Sequence, residues 1–355
     1  MNSIESLQAF LPDSGTAALI TSSINNRYLS GFESTDGAYL ITRDKARVLL
    51  DFRYFEAASK QVQPPTQVVR FNRLIDDLNS IFLKENIKHV YIEDADMTVA
   101  GFREYSRALC AELLTDGLSD KLSELRMVKT DAEVEKIIKA QRITERALNE
   151  VLNCLKPGVT EREIAVELEH LIKVYGGERV AFDLICITGA NTSLPHGVPG
   201  DRAVKEGDFF TFDIGSVYEG YHSDMTRTVA VGYATDEMRE IYDIVLEAHI
   251  KAQQAIKAGV PARDVDAAAR DHIEIKGYGE CFGHSTGHGV GLEIHEAPAV
   301  SKRSHTVLKD GMIITDEPGI YLPGKFGVRI EDMFLVRGDD PLDLAEIPKD
   351  LIIIR

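Results

Sequence analysis

Residues 209–231 read FFTFDIGSVYEGYHSDMTRTVAV. β-Branched and aromatic residues on both sides of Tyr218-Glu219-Gly220 predict two strands joined by a turn. Asp213 lies in the first strand and Asp224 in the second, roughly equidistant from that turn. A hairpin folded there sets two carboxylates side by side, where like charges repel. The stretch TDEPGIYLPGKFGVRIED, residues 315–332, has the same design. Its proline-glycine turn is Pro323-Gly324-Lys325, and Glu317 and Glu331 each stand seven residues from Gly324, facing each other.

The two stretches are copies within a longer internal repeat. KEGDFFTFDIG at 205–215 aligns with KDGMIITDEPG at 309–319, an offset of 104 that places Asp213 on Glu317. KPGVTEREI at 156–164 resembles KAGVPARDV at 257–265, an offset of 101. The helix predicted after each of these ends at a glycine-rich stop, Gly176-Gly177 and Gly277-Tyr278-Gly279. Two copies at this spacing are too few and too long for a solenoid. They predict two halves of helix, helix and antiparallel strands packed about a pseudo-twofold axis, sheets inside and helices outside. A cleft between related halves is a natural place for a site.

Upstream the texture differs. AALITS, GAYLITR, RVLLDF, QVVRF and HVYIED read as strands, while FEAASKQV, LIDDLNSIFLKENI and TVAGFREYSRALCAEL read as helices. This α/β pattern closes near residue 120. A long helix follows, with Thr130 and Glu133 forming a capping box and Val134, Ile137, Ile138, Leu148, Val151, Leu152 and Leu155 on one face. The boundary falls within 120–129, giving an α/β domain over 1–123 and an α+β domain over 124–355. At 355 residues two domains are also the prior expectation.

Composition narrows the function. A formal charge of −17 disfavours nucleic acid and anionic membranes as partners. Cys110, Cys154, Cys186 and Cys281 are scattered without paired spacing, which argues against a disulfide framework or a thiolate zinc site and fits a reducing cytoplasm. The start, MNSIESLQAFLPDSG, has no basic leader and no long apolar core, and no apolar run approaches the roughly 20 residues of a membrane span. A soluble cytoplasmic protein is expected.

Four carboxylates brought to one axis cannot all stay ionised and unpaired. A salt-bridged polar face could use Arg227 and Arg329, and a dyad sharing one proton is a second possibility. A dyad does not need four acids, whereas carboxylates bridging two divalent cations do account for them. A nitrogen ligand could come from CFGHSTGHGVGLEIHEAP, where His284, His288 and His295 fall within twelve residues among glycines that permit close backbone approach. His196, in SLPHGVPGD, precedes the first hairpin. Four carboxylates and an imidazole suit manganese, cobalt, iron or zinc, and two such ions would activate water for hydrolysis.

These motifs resemble the metallopeptidase family with the pita-bread fold, which contains methionine aminopeptidases, aminopeptidase P and prolidases. The resemblance rests on D-I-G-x-x-Y-x-G-Y-x-S-D-M-T-R-T (213–228), G-H-S-T-G-H-G-V-G-L-E-I-H-E (283–296), E-P-G-I-Y (317–321) and V-R-I-E-D (328–332). R-Y-L-S-G-F (27–32) and L-D-F-R-Y (50–54) are similar to the creatinase-type N-terminal domain of the Xaa-Pro peptidase branch.

The resemblance implies metal ligands at Asp213, Asp224, His288, Glu317 and Glu331, with Asp224 and Glu331 bridging two ions, manganese or cobalt ahead of zinc or iron. It implies proton transfer at Glu317, substrate contacts stabilising the tetrahedral intermediate at His196 and His295, and a further substrate-side histidine at His284. Arg329 is implied to be a supporting partner. Asp316 and His222 match no role, and strand alternation turns Asp316 away from the other acids. The implied activity is cleavage of Xaa-Pro bonds in dipeptides or short peptides by a homodimer. A methionine aminopeptidase shares the ligands but usually lacks the first domain, creatinase works without this metal set, and a non-catalytic binding member would show substituted ligands.

Overall fold

The computed structural model describes residues 2–355. The chain divides into two compact units, one ending at Leu125 and one spanning Arg126–Arg355. The division falls inside the helix Leu118–Met127, whose Leu118 and Leu122 are buried in a core of the first unit.

The first unit is a six-stranded mixed sheet in the order Thr66–Arg70, Ala46–Leu50, Ala38–Ile41, Thr16–Ile20, His89–Ile92, Glu112–Leu114. Alternation along the inner strands builds two cores. Ala18 and Ile20 face one with Leu7, Tyr39 and Val48, while Ala17 and Leu19 face the other with Leu40, Leu78 and Phe82. The five predicted strands are all present. The sequence TVAGFREYSRALCAEL stays helical only over Val99–Ala108, because Glu112–Leu114 pairs in parallel with His89–Ile92 as the edge strand.

The second unit is built from the predicted repeat. Helices Asp131–Leu152 and Glu161–Val174 cover strands Ile185–Thr188, Phe209–Ile214 and Met225–Val231, and helices Asp236–Ala255 and Ala262–Ile275 cover strands Ile313–Asp316 and Asp332–Leu335. The capping box at Thr130 and Glu133 starts the first of these helices. Gly207 and Gly311 both take positive φ, as do Gly158 and Gly259, so the turns recur at the two offsets of the sequence repeat. Among the described residues, no helix is long and apolar enough to cross a membrane.

The first hairpin turns on Glu219-Gly220, both with positive φ, and Tyr218 pairs with Tyr221. Its register corrects one expectation. Asp213 lies opposite Thr226, not Asp224, and continuing the same register puts Gly215 across from Asp224. The two aspartates therefore share a face as diagonal neighbours. A side chain at Gly215 would overlap the Ser223 carbonyl oxygen, so the strands can close beside Asp224 only because that position is bare. Gly215→Ala is expected to cost roughly 1–3 kcal/mol of stability through this overlap, read as a lowered urea midpoint; an unchanged midpoint would show that the backbone yields freely there.

Candidate metal centre

The second hairpin keeps one register on both sides of a break. Asp316 pairs with Asp332 before it and Gly319 with Arg329 after it, so Glu317 falls across from Glu331. The halves are stitched together at this break. Thr226 and Glu331 form an antiparallel bridge, each backbone N–H donating to the other's carbonyl at 3.4 and 3.1 Å. Thr226 Oγ1 also donates to Glu331 Oε2 at 2.6 Å.

That seam gathers acids from both hairpins with a histidine between them. One ligand atom each of Asp224, His288 and Glu331 lies within 4.8 Å of the others. His288 Nε2 stands 3.5 Å from Asp224 Oδ2 and 3.5 Å from Glu317 Oε1. Glu317 accepts from Thr315 Oγ1 at 3.4 Å, and the same hydroxyl accepts from the His288 backbone N–H at 3.0 Å. Asp213 pairs with Arg329, whose Nε also donates to Thr226 Oγ1 at 3.1 Å.

The electrostatics of this cluster favour a cation among its groups. Burial first, then the neighbouring acids Glu331 and Asp213, pushes the Asp224 carboxyl well above the usual range. Burial likewise raises Glu317 and Glu331 well above it, with Arg329 opposing and other acids adding. Burial drops His288 to about 4, so its ring is neutral near pH 7. Its Nδ1 lies 3.0 Å from the Gly289 carbonyl, which can only accept, so Nδ1 carries the proton and the Nε2 lone pair faces the carboxylates. Lone pairs and carboxylate oxygens converging on one point fit a cation, and the oxygen-plus-imidazole donor set fits a divalent transition metal.

A cavity of about 630 Å³ opens over this cluster. Every predicted site residue lines it: Asp213, Asp224, His288, Glu317 and Glu331 together with His196, His284 and His295. The rings of His288 and His295 are 4.3 Å apart. His196 stands on the loop after the short turn Gly189–Ser193, tied down where the Pro195 carbonyl accepts from Arg329 Nη1 at 3.3 Å and Thr192 Oγ1 accepts from the Gly327 N–H at 2.8 Å.

Tyr321 was not assigned from sequence. Arg329 Nη1 donates to its hydroxyl at 2.7 Å, and the hydroxyl's own proton faces His284 Nε2 at 2.9 Å. His284 Nδ1 donates to Ser285 O at 2.8 Å, and burial with the charge of Arg329 lowers that ring to about 4. The available signal was a tyrosine between Gly319 and Gly327, where any side chain would collide with its ring. Asp316 does point away, buried behind the strand pair with His249, and Arg227 serves Asp332 on that rear face rather than the forward acids. His222 is buried, its Nδ1 3.1 Å from the Gly291 carbonyl.

Residues 135–338 match the model of metallopeptidase family M24, and residues 4–128 match the creatinase/prolidase N-terminal domain. The chain belongs to metallopeptidase family M24, and its second unit has the pita-bread fold. It is 36% identical over 341 residues to an Xaa-Pro dipeptidase of Pyrococcus horikoshii, covering 95% of this chain and 94% of that one. An Xaa-Pro dipeptidase structure from Bacillus anthracis superposes with a TM-score of 0.95 at 41% identity over 99% of both chains. The X-Pro aminopeptidase structure from Thermotoga maritima gives 0.91 at 37% identity, over 96% and 97%.

Arg329 is the buried cation facing these acids from within the cavity lining. Arg329→Met removes one partner of a buried ion pair and is expected to destabilise the metal-free chain by roughly 3–5 kcal/mol. Urea unfolding in the presence of a chelator measures it, and a loss below about 1 kcal/mol would mean the carboxylates are already neutral without the arginine.

Proposed function

We propose that this chain hydrolyses the bond between an N-terminal residue and proline in dipeptides or short peptides, with two divalent cations bound in the cavity of its second unit. The observation that carries the reading is the convergence of Asp224, Glu331 and the neutral His288 within 4.8 Å under an open cavity. The names of the Pyrococcus, Bacillus and Thermotoga proteins support the Xaa-Pro specificity.

Asp213, Asp224, His288, Glu317 and Glu331 would hold the ions, with Asp224 and Glu331 shared between them. Manganese or cobalt is proposed ahead of zinc or iron, as the family resemblance implies; carboxylates and an imidazole without a thiolate accept all four. The chemistry such ions supply is Lewis acidity toward a carbonyl oxygen and toward water. Glu317, half-buried and reachable from the cavity, would take the proton of the attacking water and pass it to the departing prolyl nitrogen. His196 and His295 would donate to the carbonyl oxygen as charge develops on it. His284, kept neutral by burial and the charge of Arg329 and held by Tyr321, would be a further substrate-side histidine.

The remaining elements of the proposal are a creatinase-like domain over 1–123, a catalytic domain over 124–355, and a cytoplasmic homodimer. A methionine aminopeptidase role is disfavoured by the creatinase/prolidase N-terminal match, and a purely binding role by the presence of all five implied ligands.

Turnover of Xaa-Pro and of Xaa-Pro-Yaa-Zaa, compared after stripping the metal and restoring manganese, cobalt or zinc, tests the activity. Cleavage of the dipeptide alone would make the enzyme a dipeptidase, cleavage of the longer peptide an aminopeptidase, and turnover that survives complete metal removal would refute the reading. Asp224→Asn is expected to abolish turnover by removing a shared ligand; near-normal rates at saturating metal would sink the two-ion assignment.

A further inference from the structure

The rear face of the ligand-bearing strands holds a second buried ionic cluster, in which Asp316 faces Asp332 across the strand pair. Both are fully buried, as is His249, which the helix Asp236–Ala255 delivers against the back of these strands. Alternation sets this pair on the face opposite Glu317 and Glu331, one residue along each strand. The sheet is therefore acidic on both sides at one level, and each side needs its own positive charge.

The rear charges are supplied unevenly. Asp332 has Arg227 at 2.7 Å and Lys349 at 3.0 Å as well as His249 Nε2 at 3.2 Å. Asp316 has only His249 as an ion pair among the described residues, with Nδ1 at 3.2 Å from its Oδ2, and neither of its carboxylate oxygens receives a hydrogen bond. His249 Nδ1 also stands 3.2 Å from the Asp316 carbonyl, while Nε2 lies near Asp332 Oδ2 without hydrogen-bond geometry. Burial works against charge on the ring, but Asp316 and Asp332 on either side raise its proton affinity above the ordinary value and favour the imidazolium. One cation thus spans two strands and holds together two acids that would otherwise repel.

We propose that His249 is a positioning residue for the metal centre: by bridging Asp316 and Asp332 it holds Glu317 and Glu331 at the separation the cations require. The inference rests on the metal reading above. Without His249, Asp316 is a buried acid beside a second acid, and whether ionised or protonated it is left without a partner. The strands relieve that by parting or admitting water, and Glu317 moves with its neighbour. The forward ligands then close on a cation from a looser starting geometry.

Mn²⁺ titrated alone into the metal-free full chain, with free Mn²⁺ followed by electron paramagnetic resonance, reads this without reference to activity. His249→Leu is expected to weaken Mn²⁺ binding by about 10–100-fold, the range for lost supporting partners of a metal site. The double variant His249→Leu/Asp316→Leu removes the stranded charge together with its partner, and is expected to bind within about threefold of wild type. A role confined to global stability would give the single variant normal affinity while lowering its melting temperature. If His249→Leu does not fold, His249→Gln, whose amide can donate to one acid only, is expected to show at least a tenfold loss. A folded single variant with wild-type affinity, or a double variant no better than the single, overturns the role of His249. A wild-type chain that binds none of Mn²⁺, Co²⁺, Zn²⁺ or Fe²⁺ overturns the metal reading, and one that binds no Mn²⁺ overturns this inference as stated for that ion.

Discussion

The constraint on which this structure depends is the repulsion among acids gathered at the seam of the second unit. Asp213, Asp224, Glu317 and Glu331 line one cavity, with Arg329 the buried cation among them. In a low-dielectric interior such a cluster either protonates or finds positive charge. The surrounding architecture bears on that choice. Thr226 and Thr315 donate to individual carboxylates, Arg329 neutralises Asp213, and His288 offers a lone pair rather than a proton. What is left over is a pocket of acceptors, which a metal satisfies and a further arginine would not.

The repeat supplies two hairpins, but the structure does not use them alike. In the second, the register opposes the two glutamates directly. In the first, Asp224 faces a bare glycine and Asp213 lies diagonal to it. The shift frees Asp213 to meet Arg329, which comes from the other half. Asp224 is left to converge with Glu331 and His288, so that the tightest triad draws on three separate segments. Perfect symmetry would give two equivalent acid pairs and no room for the arginine. The two-residue offset in the first hairpin produces a graded site, with one acid compensated by protein and the others turned toward the cavity.

Much of this was legible in the sequence, and the parts that were not share a cause. The repeat offsets, the turn positions and the capping box could be read because each depends on local pattern or spacing, and the residues that the family motifs implied for the site all line one cavity. The face of Asp316 was readable from alternation. The register of the first hairpin was not, because counting from the turn is sensitive to whether the turn holds two residues or three. Tyr321 and His249 escaped notice because their partners lie far along the chain: Tyr321 reaches His284, and His249 sits 67 residues from Asp316 in an otherwise ordinary amphipathic helix. The edge strand Glu112–Leu114 was missed because three residues, none of them buried, carry almost no periodic signal.

Site residues that meet solvent are rooted in parts that do not. His196 and His295 are exposed, as groups that must reach a substrate have to be. The loop bearing His196 is pinned through Thr192 and Pro195 to the strand Phe326–Arg329. His295 is followed immediately by Glu296, a buried carboxylate that accepts from Lys129 Nζ at 2.6 Å and Arg126 Nη2 at 2.6 Å, while Arg126 also reaches Glu293 at 2.7 Å. Burial alone would raise the Glu296 carboxyl, yet the two cations hold it below its ordinary value, so it stays charged and the clamp stays closed. A long side chain on a fixed backbone loses little entropy when it meets a substrate, whereas one on a mobile loop must be ordered at the moment of binding. Paired acids in front, a bridged acid pair behind, and an ion-pair clamp at the base of His295 are three uses of one device: a buried charge whose partner fixes something the site needs.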